Sequence, residues 1–352
     1  MSDSPRSALS PRSAFSPLAL TQVLPFLPLA QGDVDYHVAR RSRPDLMRDL
    51  TGSPAVDVIL VDRDHLAVPK GQGGTAGRRH ARIRLAMLPA TYLAGMLDGE
   101  DRESWPLYYL GSKDGRDYLA LDLALLGQGA DDGRTVDGGL GQSAGERFDW
   151  LGLREFAPHG TPRQVGLATS AVSLSMWQNR QRFCPACGAP VKPCMSGWAQ
   201  RCLGADPGHT LFPRIEPAVI MAVVDSRDRL LLQHNSAWGP DFHSVTAGFV
   251  EAGENLEHAV RRETMEEVGV PVGEVHYMGS QPWPFPSSLM VAFKARAMMT
   301  GIRVDGQETK EAAWFSRDEL SASMAAGTIR MPKRATIARA MIEEWYGKGL
   351  EE

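Results

Sequence analysis

The strongest chemical signal in the chain is an acidic run from Gly248 to Val270, GFVEAGENLEHAVRRETMEEVGV. Its pattern predicts a helix over Asn255–Val268, on which Glu263, Glu266 and Glu267 are related as i, i+3 and i+4 and therefore share one face. Carboxylates held this close repel one another unless cations lie between them, and oxygen-only ligands suit Mg²⁺ or Mn²⁺. The run predicts a divalent-metal site. The alternative is an acidic, solvated helix face.

The residues around these carboxylates favour the metal site. Arg262 precedes Glu266 by four positions and can orient its carboxylate. Gly248 and Gly269 stand at the two ends of the run, where glycine permits tight turns between a helix and its loops. A helix face that is merely solvated needs neither the arginine nor the glycines.

A second candidate site is formed by cysteines, all of which lie between Cys184 and Cys202. This clustering is poor for disulfides and typical of a metal site in a reducing compartment, which predicts a cytoplasmic protein. Cys184 and Cys187 have the spacing of a zinc knuckle, and Cys202 supplies a third thiolate. His209 is the better fourth ligand and Cys194 is its competitor. A ribbon that folds by packing alone, without metal, is the alternative.

Elements that could position both sites follow from the hydrophobic pattern. A breaker-poor segment, Pro162–Arg182, predicts a helix that leads to the cysteines. Beyond them AVIMAVVD and LLLQH predict a strand pair, and EVHYMG, LMVAFKARAM and EAAWFS predict further strands before a closing helix over Pro332–Trp345. The order is mixed α/β.

The acidic run matches the Nudix box, G-x5-E-x7-R-E-U-x-E-E-x-G-U, over its full length, with Thr264 where the box has an aliphatic residue. SQPWPFPSS, Ser280–Ser288, resembles the signature of the NADH pyrophosphatase branch of the Nudix hydrolases, some of which also remove NAD caps from RNA. FPR-x-x-P and E-x-x-E-A-A-W-F match the same branch. The resemblance is close over residues 160–345.

This resemblance, with the element order, implies an α/β (α+β) chain: a C-terminal Nudix α/β/α sandwich with a mixed sheet, a small zinc ribbon, and a separate, mostly β N-terminal domain. It implies a homodimer whose active site is shared between subunits. The implied parts are a disordered tail (1–16), an N-terminal NADH-pyrophosphatase-like domain (17–160), a linking helix (161–182), the zinc ribbon (183–213) and the Nudix hydrolase domain (214–348).

The resemblance also implies roles for individual residues. The catalytic magnesium or manganese ligands fall on Glu263, Glu266, Glu267 and Glu308. The substrate contacts fall on Phe212, Phe249, Gln281, Trp283 and Ala338, with Phe212 of one subunit and Phe249 of the other enclosing a base ring. The proline-rich segment is then a stiff wall of the nucleotide pocket. Alternatively, Trp283 and Phe285 serve the core or the dimer interface and Gln281 alone contacts substrate.

The implied reaction is hydrolysis of NADH or NAD⁺ to nicotinamide mononucleotide and AMP. The alternatives with the same chemistry are removal of the NAD cap from RNA and hydrolysis of ADP-ribose. A non-enzymatic zinc-ribbon regulator would not need the full set of carboxylates. A nicotinamide-dependent oxidoreductase would need a G-x-G-x-x-G turn between a strand and a helix, which the chain lacks.

Composition excludes other classes. The chain of 352 residues has 43% hydrophobic and 23% charged residues, as a globular protein of two domains has. A formal net charge of -4 argues against affinity of the whole molecule for nucleic acid or anionic membranes. No apolar run approaches the roughly 18 residues of a membrane span.

Overall fold

The computed structural model describes residues 24, 26–74, 81–94, 105–126, 140–204 and 208–350. The predicted tail, 1–16, lies outside these residues. They form two six-stranded mixed sheets and one three-stranded sheet. None of the described helices is long and apolar enough to cross a membrane.

The first sheet has the strand order β4-β5-β1-β2-β6, with β3 paired to β1. Its strands are β1 (Val56–Asp62), β2 (His65–Pro69), β3 (Met87–Pro89), β4 (Leu107–Lys113), β5 (Arg116–Asp122) and β6 (Phe148–Gly152). Short helices accompany it: α1 (Leu46–Thr51), α2 (Thr91–Ala94), α3 (Leu123–Leu126), α4 (Leu140–Arg147) and α5 (Leu153–Phe156). The prediction of a mostly β first domain is confirmed.

Helix α6 (Pro162–Arg180) joins this sheet to the cysteine region. Thr161 caps it by accepting from the Gln164 amide, and Pro162 occupies the first turn, where its missing N–H leaves no intrahelical bond unmade. The three-stranded sheet follows, with β7 (Val191–Cys194), β8 (Ala199–Cys202) and β9 (Thr210–Leu211). Helix α6 lies within the predicted linking segment, 161–182, and ends at Arg180.

The second sheet has the order β13-β14-β10-β11-β15, with β12 paired to β10. Its strands are β10 (Glu216–Val224), β11 (Leu230–Asn235), β12 (Thr246–Phe249), β13 (Val272–Trp283), β14 (Ser288–Ala297) and β15 (Thr309–Phe315). Helix α7 (Leu256–Val268) follows β12, and α8 (Arg317–Ala325) and α9 (Ile337–Tyr346) follow β15. The closing helix is therefore shorter at its start than Pro332–Trp345.

The two large sheets repeat one topology strand for strand. In each, the first strand pairs in parallel with the fifth and antiparallel with the second and third. Two helices follow the sixth strand in both sheets: α5 and α6 follow β6, and α8 and α9 follow β15. The first sheet with α1–α5 is called the first unit, and the second sheet with α7–α9 the second unit. The acidic helix α7 between the third and fourth strands has only the four-residue α2 as its described counterpart in the first unit.

The second sheet is buried on both faces, as the predicted sandwich requires. Along β10, Val219, Met221 and Val223 belong to the cluster that packs against α7. Ile220 and Ala222 point the other way, into the cluster that contains α9. A central strand covered on both faces reads as a continuous apolar run, as AVIMAVV does. The cluster under α9 also includes Leu24 and Leu27 from the start of the described chain.

The proline-rich segment is half strand and half turn. Strand β13 continues through Pro282 to Trp283 and pairs with β14, and the turn occupies 284–287. A proline is tolerated because β13 is an edge strand of the sheet. Trp283 and Phe285 are in edge-to-face contact, 4.9 Å between centroids, and pack against the core cluster of the first unit. This packing matches the alternative interpretation of Trp283 and Phe285, in which the two rings belong to a hydrophobic core.

Candidate active site

Helix α7 holds three of the predicted metal ligands. Asn255 caps its start by accepting from the His258 amide at 2.8 Å, and Gly269 ends it with φ of 67°. A Cβ on Gly269 would lie 2.8 Å from the Arg303 carbonyl oxygen, so glycine is required for both conformation and space. Thr264 is buried and donates its hydroxyl to the Val260 carbonyl at 2.7 Å, which satisfies the polar group that replaces the aliphatic residue of the box.

Gly248 has a different role from the predicted turn. It lies within β12, opposite α7, and pairs with Val219 of β10. A Cβ added to Gly248 would stand 1.9 Å from the Glu263 carboxyl carbon and 2.2 Å from both of its oxygens. The glycine is needed because the Glu263 carboxylate fills the space that a side chain would occupy.

Arg262 organises the carboxylates on its side of the helix. Its Nη1 donates to Glu263 and to Glu266, both at 2.9 Å. Its Nε and Nη2 donate to the two carboxylate oxygens of Glu254, at 2.9 and 2.8 Å, which lowers the pKa of Glu254. Nη2 also donates to the Phe249 carbonyl at 2.9 Å. One guanidinium therefore fixes three carboxylates and the end of β12, as the spacing of Arg262 and Glu266 predicted in part.

Glu267 is the buried member of the group, with 7% of the residue exposed. Burial raises its pKa to about 8, and the charges of Glu263, Glu308 and Asp305 act in the same direction. Its carboxylate accepts from the Ala247 amide, while its Oε2 atom is buried without a hydrogen-bond partner among the described residues. An unpartnered buried carboxylate oxygen beside other carboxylates is the arrangement that a cation would relieve.

The loop before β15 brings Glu308 toward Glu267. Asp305 accepts from the amides of Glu308 and Thr309, at 3.0 and 2.8 Å, and these bonds lower the pKa of Asp305. Sequence reasoning missed Asp305, although the Asp305-Gly306 pair three residues before Glu308 is a turn signal. Asp305 shapes the turn and adds to the negative field on Glu267.

The donor set fits Mg²⁺ or Mn²⁺. Glu263, Glu266, Glu267 and Glu308 offer only carboxylate oxygens, which hard cations prefer. Burial raises the pKa of Glu263 as well, so both inner carboxylates are destabilised as anions. Among the described residues, the carboxylate oxygens of these four glutamates are less tightly grouped than the sulfur and nitrogen atoms of the cysteine region. Glu263 and Glu266 form ion pairs with Arg262 instead.

Two of the predicted substrate residues present free aromatic surface. Phe249 at the end of β12 is 55% exposed, and Phe212 just after β9 is 62% exposed. Among the described residues the two rings do not contact each other within one chain. Exposed rings of this size are available for stacking on a flat ligand or for contact with another chain. Ala338 is instead buried in α9.

Gln281 is fully buried and joins three segments. Its amide nitrogen donates to the Ala335 carbonyl at 3.0 Å, and its oxygen accepts from the Leu29 amide at 3.2 Å. We expect Gln281→Leu to lower the free energy of unfolding by about 2 kcal/mol, because it leaves two buried backbone groups unpaired. Thermal denaturation measures this, with Ser280→Ala on the other face of the strand as control. A higher KM at unchanged stability would instead support direct contact with substrate.

The cysteine region brings a four-residue set together. Ligand atoms of Cys184, Cys187, Cys202 and His209 all lie within 4.8 Å of one another. Two of the pairs are close, Cys184 Sγ to His209 Nδ1 at 3.7 Å and Cys187 Sγ to Cys202 Sγ at 3.4 Å. Backbone amides, first that of Ala186, lower the pKa of Cys184 to about 6. Cys194 is outside the set, so the geometry favours His209 as the fourth ligand.

The chain is similar to several known proteins. Residues 214–339 match the family model of the NUDIX domain. The NAD-capped RNA hydrolase NudC of Mycobacterium bovis (strain BCG / Pasteur 1173P2) is 45% identical to the chain over 188 residues, which are 51% of this chain and 59% of that protein. Nudix hydrolase 19, chloroplastic, of Arabidopsis thaliana is 36% identical over 267 residues, 72% of this chain and 58% of that protein.

The chain thus spans less than two thirds of the length of these curated relatives. Among solved structures, the NUDIX hydrolase from Nitrosomonas europaea is similar with a TM-score of 0.38 and 21% identity, over 48% of this chain and 94% of that chain.

Proposed function

We propose that this chain, which belongs to the Nudix hydrolase family, hydrolyses the pyrophosphate bond of a nicotinamide dinucleotide, NADH or NAD⁺, to nicotinamide mononucleotide and AMP. The observation that supports it most is the buried Oε2 atom of Glu267, unpartnered among the described residues, in a group that includes Glu263 and Glu308. The nicotinamide dinucleotide as substrate is suggested by the name of the NudC relative.

The residues that would hold Mg²⁺ or Mn²⁺ are Glu263, Glu266, Glu267 and Glu308. A divalent ion held by these residues would neutralise charge on the diphosphate and lower the pKa of a bound water. Phosphoryl transfer depends mainly on positioning and on charge neutralisation, and both are properties of such a site.

The side chains divide the remaining work. Arg262 keeps Glu263 and Glu266 in place, since it donates to both. Glu267, the most buried of the four carboxylates, is the candidate to orient the attacking water or accept its proton. Phe249 at the neighbouring strand end offers a ring face to a nucleotide base. Attack on the adenylyl phosphorus would leave the phosphate with AMP.

The experiment is turnover of NADH, NAD⁺, ADP-ribose and NAD-capped RNA with Mg²⁺ or Mn²⁺, with the products resolved. We expect AMP and the mononucleotide from the wild type and their loss in Glu266→Gln. Relative rates rank the substrates. Absence of turnover with retained nucleotide binding would contradict the proposal and support the zinc-ribbon regulator.

Removal of NAD caps from RNA is the second candidate, because the NudC relative bears that activity in its name. The pyrophosphate chemistry is unchanged, and the RNA chain adds phosphates that Arg and Lys side chains outside the pocket would contact. Turnover of capped RNA should then fall steeply with salt while turnover of free NAD⁺ changes little. Equal salt dependence of the two reactions would argue against RNA contacts.

A structural zinc ion in the ribbon is also part of the proposal, held by Cys184, Cys187, Cys202 and His209 in a reducing, cytoplasmic setting. Four protein ligands leave no open position for catalysis. We expect about one zinc per chain by elemental analysis, lost in Cys202→Ser together with on the order of 4 kcal/mol of stability. Cys194→Ser should keep both, because Cys194 is outside the cluster. Equal zinc loss in the two variants would reject this ligand set.

A homodimer completes the proposal. The exposed Phe212 of the ribbon and the exposed Phe249 of the Nudix sheet lie on separate parts of one chain. In a dimer, Phe212 of one subunit could enclose a base together with Phe249 of the other. Size-exclusion chromatography with light scattering tests the oligomeric state, and a monomer that is fully active would contradict the shared site.

A further inference from the structure

A cavity of 680 Å³ lies where the first unit, helix α6, the ribbon and the proline-rich segment meet. Its volume is in the range of small-molecule sites. Glu263, Glu266, Glu267, Glu308 and Phe249 do not line it, so it is distinct from the carboxylate group, although Trp283 of the predicted substrate contacts does line it. Its walls are apolar on the side of Pro282, Trp283 and Pro286, and Thr169, Ser170 and Ser173 of α6 also line it.

Arg41 is the charged group buried at this cavity, with 7% of the residue exposed. Its Nε donates to the Tyr36 carbonyl at 3.2 Å, and its guanidinium carbon lies 3.6 Å from the centre of the Trp198 ring. Within the described part of the chain no carboxylate pairs with Arg41, and its two terminal nitrogens have no hydrogen-bond acceptor there. These nitrogens are not fully buried, so they remain accessible from the cavity that Arg41 lines. Burial lowers the pKa of Arg41.

Arg41 differs from the neighbouring Arg40 in having no carboxylate partner among the described residues. Arg40 is less buried and forms an ion pair with Asp117 at 3.0 Å. A buried cation without a counter-charge is costly, and its charge is retained because a guanidinium does not lose its proton in proteins. Stacking on Trp198 fixes the plane of Arg41 but supplies no negative charge. An anion in the cavity would supply it.

We propose that this cavity binds an organic phosphate of nucleoside-monophosphate size, whose phosphate accepts hydrogen bonds from Arg41 and whose apolar part lies against Pro282 and Trp283. The planar guanidinium matches the spacing of two phosphate oxygens. The Ser170 hydroxyl can add a donor, whereas those of Thr169 and Ser173 donate to carbonyls of α6. The site goes beyond the proposed hydrolysis, because none of the catalytic carboxylates takes part. Its location between the two units makes the ligand a link between them.

Isothermal titration calorimetry of the full chain in EDTA tests the site, because without divalent ions the carboxylates repel phosphate. We expect AMP and ribose 5-phosphate to bind, and adenosine, which lacks the phosphate, to bind at least roughly 10-fold more weakly. Arg41→Gln should weaken AMP roughly 10-fold to 100-fold. Arg40→Gln is the matched control and should leave the affinity unchanged.

A second variant keeps the test independent of the stability of Arg41→Gln. Ser170→Phe places a ring into the cavity from the half-buried face of α6 and should block AMP while the protein still unfolds cooperatively. The proposal is overturned if the wild type does not bind AMP at millimolar concentration, or if folded Arg41→Gln or Ser170→Phe binds AMP as tightly as the wild type. The calorimetry measures binding and not turnover, so its result is independent of the proposed hydrolysis. AMP could bind at this cavity in a protein without hydrolase activity, and it could fail to bind there in an active hydrolase.

Discussion

Glu267→Gln is expected to reduce dinucleotide turnover by roughly 1000-fold, the loss that follows removal of a positioned general base or metal ligand. Glu267 is the most buried of the four carboxylates, and it lies close enough to Glu263 and Glu308 for their charges to raise its pKa. Single-turnover kinetics with saturating Mg²⁺ separates this loss from weaker substrate binding. Glu257→Gln on the exposed side of the first turn of α7 is the control and should retain activity. Near-normal turnover in Glu267→Gln would remove Glu267 from the mechanism.

The same variant should gain stability when metal is absent. The folded-state pKa of about 8 is above the ordinary value of 4.5, so folded protein keeps a proton that unfolded protein loses between these pH values. Stability of the metal-free wild type therefore falls as pH rises from about 4.5 to about 8. Glutamine carries no charge, and it should raise stability at pH 8 by on the order of 2 kcal/mol. Denaturation in EDTA at pH 5 and pH 8 measures this, and Mg²⁺ should restore the wild type.

Gly248→Ala is the second change with a large expected effect, about 100-fold on turnover. The added Cβ would stand 1.9 Å from the Glu263 carboxyl carbon, so the carboxylate must move by an ångström or more. Displacement on that scale is enough for losses of about 100-fold in a positioned site. The backbone of β12 tolerates alanine, because Gly248 does not have positive φ. The fold should persist while activity is lost, as circular dichroism and steady-state kinetics would show.

Gly301→Ala is the matched control for this change. Gly301 has ordinary φ and nothing within 4 Å of an added Cβ, so alanine there should leave kcat within about twofold. If Gly248→Ala retained full turnover, the contact with Glu263 could not be important for catalysis. If it unfolded the protein, the space opposite α7 would serve packing and not the position of the carboxylate.

Local sequence determined the acidic helix α7 almost completely. One or two turns of α7 contain the spaced carboxylates Glu263, Glu266 and Glu267 and the arginine before them, and Gly269 follows directly. In the structure Arg262 bonds to Glu266 and Gly269 ends the helix, as the spacing predicts. The cysteine set was predicted in the same way, and Cys184, Cys187, Cys202 and His209 lie together within a short stretch of chain. Interactions between residues a few positions apart can be predicted from their spacing, because the geometry of helices and turns is fixed.

What depended on distant residues could not be read in this way. The role of Gly248 follows from the position of Glu263 on another element, and the buried bonds of Gln281 join residues 252 and 54 positions away. The shared topology of the two sheets lies in strand order and pairing, which no local pattern records. In the sequence, Arg41 cannot be distinguished from any other arginine of a basic stretch. Its burial beside Trp198, without a carboxylate partner among the described residues, is visible only in the structure. The sequence alone determined the chemistry that a single helix or loop carries. Only the tertiary structure decided which groups are desolvated and which are brought together. The reason is that burial and pairing are set by packing between elements far apart in the chain.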